Sequence, residues 1–380
     1  MKVNNVIKYC ACIYDSDSFL IYLHLDGLRP TSPQAVLEIL ESYRSNSFSR
    51  IAHLTALVDS LKVLLEYPAE NEEIHSYRID EGLIEQMAVS GVSKQSCDYV
   101  LKLWDIIEIL GYKPSERIYE CAILSFFRSF QKDHHGFAAL TDMESDGYVP
   151  SRALINSISR NLSVSVKRLD HAYYMLTKHE PPKGINLSTS VLNCILAACA
   201  KEGFVDRSFT VFHEFERFDL YPDANSYSYL LECISNEIKQ MKAVLVYDSV
   251  QQKVVKTDTY RSATDDFQIY VDSCVEVVSM MKDQGVDHTR HTLHEYVDAL
   301  SCLGELDTAK ITLENAIYQK ERVLKKTIEH FCLQCALSQR KDLALESLSL
   351  FEAAGHERIP NYISDALDVD WSSVDSSESA

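Results

Sequence analysis

Apolar residues recur along most of the chain with the spacing of an α-helix rather than that of a β-strand. One stretch with apolar residues at positions i, i+3, i+4 and i+7 contains Leu192, Ile195, Leu196 and Cys199. The same helical spacing continues from Leu306 to Ile317. Strict alternation of apolar and polar residues, which is the pattern of a half-buried strand, is nearly absent. The chain is therefore predicted to be all-α.

Two short phrases mark where the predicted helices end and begin. The first is a glycine followed three residues later by proline or a substitute, and it starts at Gly27, Gly111, Gly147, Gly184 and Gly285. Glycine adopts the left-handed conformation of a helix C-cap, and proline cannot continue a helix. The second phrase is a turn followed by an aspartate, at Asp206, Asp307 and Asp342, whose charge suits the start of a helix. Together they predict a unit of helix, tight turn, helix and capped break.

The spacing of these phrases predicts a tandem repeat of about 35 residues. The predicted units are 81–115, 116–151, 152–188, 189–223, 224–289, 290–324 and 325–359. The unit 224–289 has nearly twice the usual length, so it contains either an insertion near 252–266 or two degenerate units.

Both ends of the chain are expected to depart from the regular repeat. Residues 1–31 are interpreted as a partial or capping repeat, and residues 32–80 as a degenerate repeat with an acidic loop from Glu70 to Glu73. Residues 360–380 combine acidic residues with clustered serines and contain no Lys or Arg. This composition predicts a disordered acidic, Ser-rich tail.

The unit from Thr189 to Asp223 resembles the pentatricopeptide repeat. The matching positions are Leu192-Asn193, Lys201-Glu202-Gly203, Phe212 and Pro222-Asp223. The related tetratricopeptide repeat has a shorter period and a Trp/Leu-Gly/Tyr pattern that this chain lacks. The resemblance covers about residues 80–359. It implies a right-handed α-solenoid that binds single-stranded RNA in mitochondria, with plastids as the alternative compartment.

The resemblance also implies which side chains read the RNA bases. In that family the fifth and the last residues of a unit face one base. Carried over to this chain, they pair Asn193 with Asp223 and Asn156 with Ser188, both as readers of a pyrimidine. A short amide can donate to and accept from a pyrimidine edge. A simpler interpretation makes Asn193 a surface or capping residue and Asp223 a helix N-cap.

Other units fit this scheme less well. Ser228 takes a fifth position, but its partner Thr289 lies beyond the predicted insertion. His294 takes the next fifth position and would face RNA. His288, His291 and His294 together also suit a solvent-facing helix start or, less well, a metal site. Acidic residues, which would repel phosphate, occupy the fifth positions at Glu85, Glu120 and Glu329.

The charge of the chain argues against a generally basic nucleic-acid surface. There are 37 Lys+Arg against 56 Asp+Glu, for a formal net charge of −19. An α-solenoid scaffold for protein partners, with little or no RNA binding, is therefore the alternative hypothesis.

No apolar run approaches the length of a membrane span. Residues Met1 to Pro30 also lack the features of a signal or transit peptide.

No motif supports catalysis, a bound cofactor or a small-molecule substrate. Cys332 and Cys335 have a metal-like spacing, but the chain has no second such pair. They are predicted to be buried thiols on one helix face, and no metal is expected. His134 and His135 are expected in a solvated turn between helices. The sequence thus favours a non-catalytic, organellar, single-stranded RNA-binding adaptor that acts in RNA processing, stability or translation.

Overall fold

The computed structural model describes residues 81–93, 97–109, 113–129, 131–178, 181–261, 267–356, 358–369 and 371. The predicted segments 1–31 and 32–80 lie outside the described residues, as do the predicted insertion's residues 262–266.

Helices make up most of the described chain. The first are α1 (Glu81–Ser93), α2 (Cys97–Ile109), α3 (Glu116–Arg128), α4 (Asp133–Ser145), α5 (Arg152–Leu162), α6 (Val166–Thr177), α7 (Thr189–Glu202), α8 (Val205–Arg217) and α9 (Ala224–Met241). The others are α10 (Gln268–Asp283), α11 (Arg290–Leu303), α12 (Leu306–Tyr318), α13 (Lys325–Leu337), α14 (Lys341–Ser347), α15 (Ser349–Ala353) and α16 (Asn361–Asp368). The prediction of an all-α chain built from helix pairs is confirmed, with one small hairpin added.

The first helix of every predicted unit from residue 81 onward begins at the first residue of that unit. These first helices are α1, α3, α5, α7, α9, α11 and α13. Five of the preceding residues, Ser115, Ser151, Ser188, Asp223 and Thr289, each accept a hydrogen bond from the backbone N–H of the third helical residue. A unit therefore ends on the N-cap of the next helix, an interaction that contributes about 1 kcal/mol.

The chain divides into two compact units. The first contains residues 1–161 and 181–186, and the second contains 162–180 and 187–380. In the first, α3 packs against α1, α2 and α4, and the buried rings of Phe127 and Phe137 meet edge to face at 4.9 Å. In the second, the first helices α7, α9, α11 and α13 pack against one another in succession.

A β-hairpin interrupts the long unit 224–289. Strands β1 (Leu245–Asp248) and β2 (Lys253–Lys256) are antiparallel, with Leu245 opposite Lys256. The hairpin follows α9, and α10 follows the hairpin, so the described part of this unit contains one pair of helices with an insertion between them. Two four-residue strands are too short to produce a clear alternating pattern in the sequence.

The hairpin packs against α13, which lies two units further along the chain, and against α16, which follows the last unit. The Gln334 side chain donates to the Leu245 carbonyl at 2.9 Å, and the Lys256 ammonium donates to the Trp371 carbonyl at 3.2 Å. The rings of Tyr247 and Tyr362 stack at 3.9 Å. Because repeats in a solenoid ordinarily contact only their neighbours, these contacts link units that would otherwise be independent.

The expectation of a disordered tail over 360–380 is wrong for its first part. Residues Asn361–Asp368 form α16, which packs against α13. Ile363, Ala366 and Leu367 recur at i, i+3 and i+4 and are buried, as is Trp371. The physical reason is this apolar stripe, which the acidic composition of the tail concealed. Residues 372–380 lie outside the described residues.

Alanine at Gly203 is expected to destabilise the protein more than alanine at Gly304. Both glycines end a first helix with positive φ, 63° and 95°, so alanine is strained at both. Only at Gly203 would an added Cβ lie 2.9 Å from the backbone N of Glu237, whereas nothing lies within 4 Å at Gly304. We expect Gly203→Ala to lower the free energy of unfolding by about 1–3 kcal/mol more than Gly304→Ala in urea denaturation. Equal losses would contradict the close approach of α7 and α9.

Candidate nucleic-acid interface

The structure brings Asn193 and Asp223 into direct contact, although 30 residues separate them. The Asn193 side-chain amide donates from Nδ2 to Asp223 Oδ1 at 3.0 Å. The Ser226 hydroxyl donates to Asn193 Oδ1 at 2.7 Å. Because α7 and α9 are neighbouring first helices, the fifth residue of one lies beside the N-cap of the next.

The local sequence holds Asp223 in position for this contact. Asp223 caps α9, accepts from the Ser226 backbone N–H at 2.9 Å and forms a capping box with that residue. The Asn225 side chain donates to the other carboxylate oxygen at 3.2 Å. Asp223 therefore serves both as the N-cap and as the partner of Asn193, so the two interpretations made from the sequence are compatible.

The contacts to Asp223 and Ser226 use only part of the hydrogen-bonding capacity of the Asn193 side-chain amide. An asparagine amide has two N–H donors and two acceptor lone pairs, and the contacts to Asp223 and Ser226 use one of each. The remaining donor and acceptor are the pair that a pyrimidine edge requires. Asn193 is only 3% exposed, so a base reaches it only where neighbouring side chains move aside.

The same contact between fifth and last residues recurs in two earlier units. The Ser115 hydroxyl donates to Glu85 at 3.0 Å, and the Ser151 hydroxyl donates to Glu120 at 3.3 Å. These units have the geometry of the Asn193–Asp223 pair but place a carboxylate where Asn193 has an amide. An ionised carboxylate only accepts hydrogen bonds and repels an RNA phosphate.

The second predicted pair is divided between the two compact units. Asn156 lies on α5 in the first compact unit and is half-buried. Ser188 lies in the second compact unit, where it caps α7 by accepting from the Val191 N–H at 3.2 Å. The structure thus gives Ser188 a capping role in its own right.

Ser228 and His294 are buried among the first helices. Ser228 is fully buried on α9, and its predicted partner Thr289 caps α11 on the far side of the hairpin. The His294 imidazole shares a hydrogen bond with the Thr327 hydroxyl at 3.0 Å. Burial lowers the pKa of His294 to about 3, so the ring is neutral at pH 7. Both side chains contribute to the packing between helices.

Sequence reasoning missed a buried polar network centred on Asp298. The Lys239 ammonium lies 2.5 Å from Asp298 Oδ2, and His330 Nδ1 lies 2.5 Å from Asp298 Oδ1. The Ser235 hydroxyl also donates to Asp298. These residues come from α9, α11 and α13, so the network joins three successive units. The available signal was an ionisable residue among the apolar positions of each helix.

Asp298, Cys302 and His330 have potential metal-ligand atoms within 4.8 Å of one another. Other contacts already use these atoms. Lys239 neutralises the carboxylate, and burial together with Asp298 raises the pKa of Cys302 to about 12. His330 Nδ1 lies beside Asp298, and its Nε2 lies 3.1 Å from the Gln334 amide, so both ring nitrogens already face polar groups of the protein. The cluster fits a packing network rather than a metal site.

Acidic groups outnumber basic ones along this stretch of first helices. Burial, followed by the charges of Glu232 and Asp298, raises the pKa of Glu295 to about 8. Lys239 and Lys326 are the basic groups that oppose this shift. The charged groups around Glu295 are therefore more acidic than basic, which does not favour RNA phosphate at this position.

The remaining predicted motifs are also located. Cys332 and Cys335 are both fully buried on α13, and burial raises the pKa of each thiol.

His134 and His135 lie in the first turn of α4, not in the turn between helices that the sequence suggested. His135 stacks on Phe126 at 5.6 Å. Within the described ranges, no helix has the length and hydropathy needed to cross a membrane.

Comparison with known proteins supports the repeat assignment. Residues 96–215 match the family model described as "Pentatricopeptide repeat-containing protein". The chain is also 24% identical over 265 residues to a mitochondrial pentatricopeptide repeat-containing protein from Arabidopsis thaliana, covering 65% of this chain and 42% of that protein. The chain thus spans less than half the length of this relative. Residues 96–215 are thus similar to pentatricopeptide repeats, and the resemblance found in the sequence is confirmed.

Solved structures of the maize pentatricopeptide repeat protein PPR10 are similar to the chain at low identity. The protein alone matches at 16% identity with a TM-score of 0.41, covering 93% of this chain and 46% of that chain. Its complex with an 18-nt psaJ RNA element matches at 13% identity with a TM-score of 0.42, covering 96% and 56%.

Proposed function

We propose that this protein is a non-catalytic adaptor that binds single-stranded RNA along its first helices. The observation that carries the proposal is the Asn193–Asp223 contact, in which the last residue of unit 189–223, which caps the following helix, orients the amide of the fifth residue of the same unit. The proposal is supported by the recurrence of this contact at Glu85 and Glu120, which favours a register common to several units. The family match over residues 96–215 and the RNA complex of PPR10 support the ligand class.

The proposed compartment is the mitochondrion, with plastids as the alternative. It is supported by the name of the Arabidopsis relative. Within an organelle, an adaptor of this kind would act in RNA processing, stability or translation by holding a short RNA segment. Acidic fifth positions at Glu85, Glu120 and Glu329 restrict the number of bases that the array reads.

RNA binding is tested by fluorescence anisotropy with a labelled U-rich single strand and an A-rich control, across a salt series. We expect the dissociation constant for the U-rich strand to rise with salt and to rise about tenfold in Asn193→Ala, because a base contact is lost. Asn315→Ala, an exposed asparagine on the second helix α12, is the matched control and should bind as the unaltered protein does. Salt-independent binding, or equal binding by Asn193→Ala, would refute the proposal.

A second candidate function is a scaffold for protein partners. The burial of Ser228 and His294 and the acidic surroundings of Glu295 favour it. If neither RNA strand binds at low salt, this second function replaces the first.

A further inference from the structure

A groove of about 640 Å³ lies in the first compact unit, where α2, α3 and α4 meet. Four aromatic side chains form part of its lining, namely Tyr99, Trp104, Phe126 and His135. Trp104 and Phe126 meet edge to face at 6.5 Å, and Phe126 stacks on His135 at 5.6 Å. This volume is in the range of pockets that bind small ligands or single side chains.

The aromatic part of the lining carries no positive charge at neutral pH. Burial, followed by the nearby His134 and Lys132, lowers the pKa of His135 from its ordinary value of 6.5. The imidazole is therefore neutral at pH 7. The Trp104 ring is held in place because its indole N–H donates to Glu108 at 2.8 Å. A cation above these rings would meet aromatic faces with partial negative charge.

The polar part of the lining is mainly acidic. Four carboxylates, Asp98, Asp105, Glu108 and Asp142, line the groove together with two lysines, Lys102 and Lys132. Burial, followed by the like charges of Glu108 and Asp146, raises the pKa of Asp142. The groove therefore has an excess of negative charge that a bound cation would relieve, and it would repel RNA phosphate.

We propose that this groove binds an arginine side chain from a segment of a partner protein. A guanidinium is planar, remains charged and stacks on aromatic rings while it donates to carboxylates in a fork. Trp104 and Phe126 provide the rings, and Glu108 and Asp142 provide acceptors at the same groove. An ammonium group is compact and strongly hydrated, so lysine fits this combination less well. The proposal is independent of RNA binding, since α2 and α4 are second helices.

The test uses the full chain and three labelled, acetylated and amidated nonapeptides in which leucine alternates with arginine, lysine or citrulline. Anisotropy should show saturable, salt-dependent binding of the arginine peptide, with the lysine peptide about tenfold weaker and the citrulline peptide weaker still. The chain has two tryptophans, Trp104 and Trp371, and both are buried. In Trp371→Phe, binding of the arginine peptide should therefore change the emission of Trp104.

Variants of residues that line the groove test whether the arginine peptide binds there. Glu108→Gln combined with Asp142→Asn should raise the dissociation constant of the arginine peptide at least tenfold, whereas Lys132→Ala should lower it about twofold to threefold. The double variant Asp272→Asn/Glu314→Gln removes two exposed carboxylates from α10 and α12 and should bind normally. Because Lys132→Ala is expected to strengthen binding of the arginine peptide, this variant distinguishes an electrostatic effect on binding from a loss of binding through unfolding.

Two outcomes would overturn the proposal. One is equal binding of the arginine and citrulline peptides. The other is binding that changes in neither Lys132→Ala nor the double groove variant. Asn193→Ala should leave peptide binding unchanged, and the groove variants should leave RNA binding unchanged. The RNA-binding proposal and the groove proposal can therefore be refuted independently.

Discussion

Replacing Asp298 by alanine is expected to lower the free energy of unfolding by about 3–5 kcal/mol, since it removes one partner from a buried ion pair. Asp298 is 4% exposed and holds Lys239, His330 and Ser235 together. Without it, the half-buried Lys239 ammonium between α9 and α11 loses the carboxylate that lies 2.5 Å away. Urea denaturation followed by circular dichroism measures the loss.

The matched control for this experiment is Asp307→Ala. Asp307 also pairs with a basic residue, Arg340 at 3.4 Å, but its side chain is 71% exposed. Exposed ion pairs contribute about 1 kcal/mol or less, so this variant should lose far less stability. The double variant Lys239→Met/Asp298→Leu should recover part of the loss, because apolar side chains can replace a buried ion pair. Equal losses in Asp298→Ala and Asp307→Ala would contradict the central role of the network.

The second large effect is expected at the hairpin. Leu245→Ala should lower the free energy of unfolding by about 2–5 kcal/mol, the usual cost of removing a buried leucine side chain. Leu245 is fully buried in a cluster with Leu333, Ile363 and Trp371. Since this cluster joins the hairpin to α13 and α16, the variant should also accelerate amide hydrogen exchange in α16.

Val250→Ala is the control for the hairpin experiment. Val250 lies between β1 and β2 and is 90% exposed, so its replacement should change stability by less than about 0.5 kcal/mol. If α16 exchanges equally fast in Leu245→Ala and in the unaltered protein, the hairpin does not stabilise the C-terminal helix.

Much of the fold could be predicted because its signals are local. Ser115, Ser188 and Thr289 accept hydrogen bonds within one turn of the helix that follows them, so the start of each unit can be found from neighbouring residues. The tail prediction failed at Ile363 and Leu367 because composition was given more weight than periodicity. The same apolar spacing that located the other helices was present there.

The candidate site was predictable only in part. Asn193 and Asp223 could be paired by resemblance, and the structure places them in contact. The burial of Ser228 and His294 could not be predicted, since a fifth position does not specify how closely the neighbouring first helix packs. Nor could the groove beside Trp104 be found, because residues from three helices line it.

The sequence by itself determined the period, the helix starts and the helix stops of this protein, because caps, left-handed glycines and helical periodicity act over a few residues. Only the tertiary structure decided which polar groups meet. The Asn193–Asp223 contact spans 30 residues, the Lys239–Asp298 contact 59 and the Lys256–Trp371 contact 115. Such contacts depend on the packing of whole helices, and the chain's local pattern does not encode them.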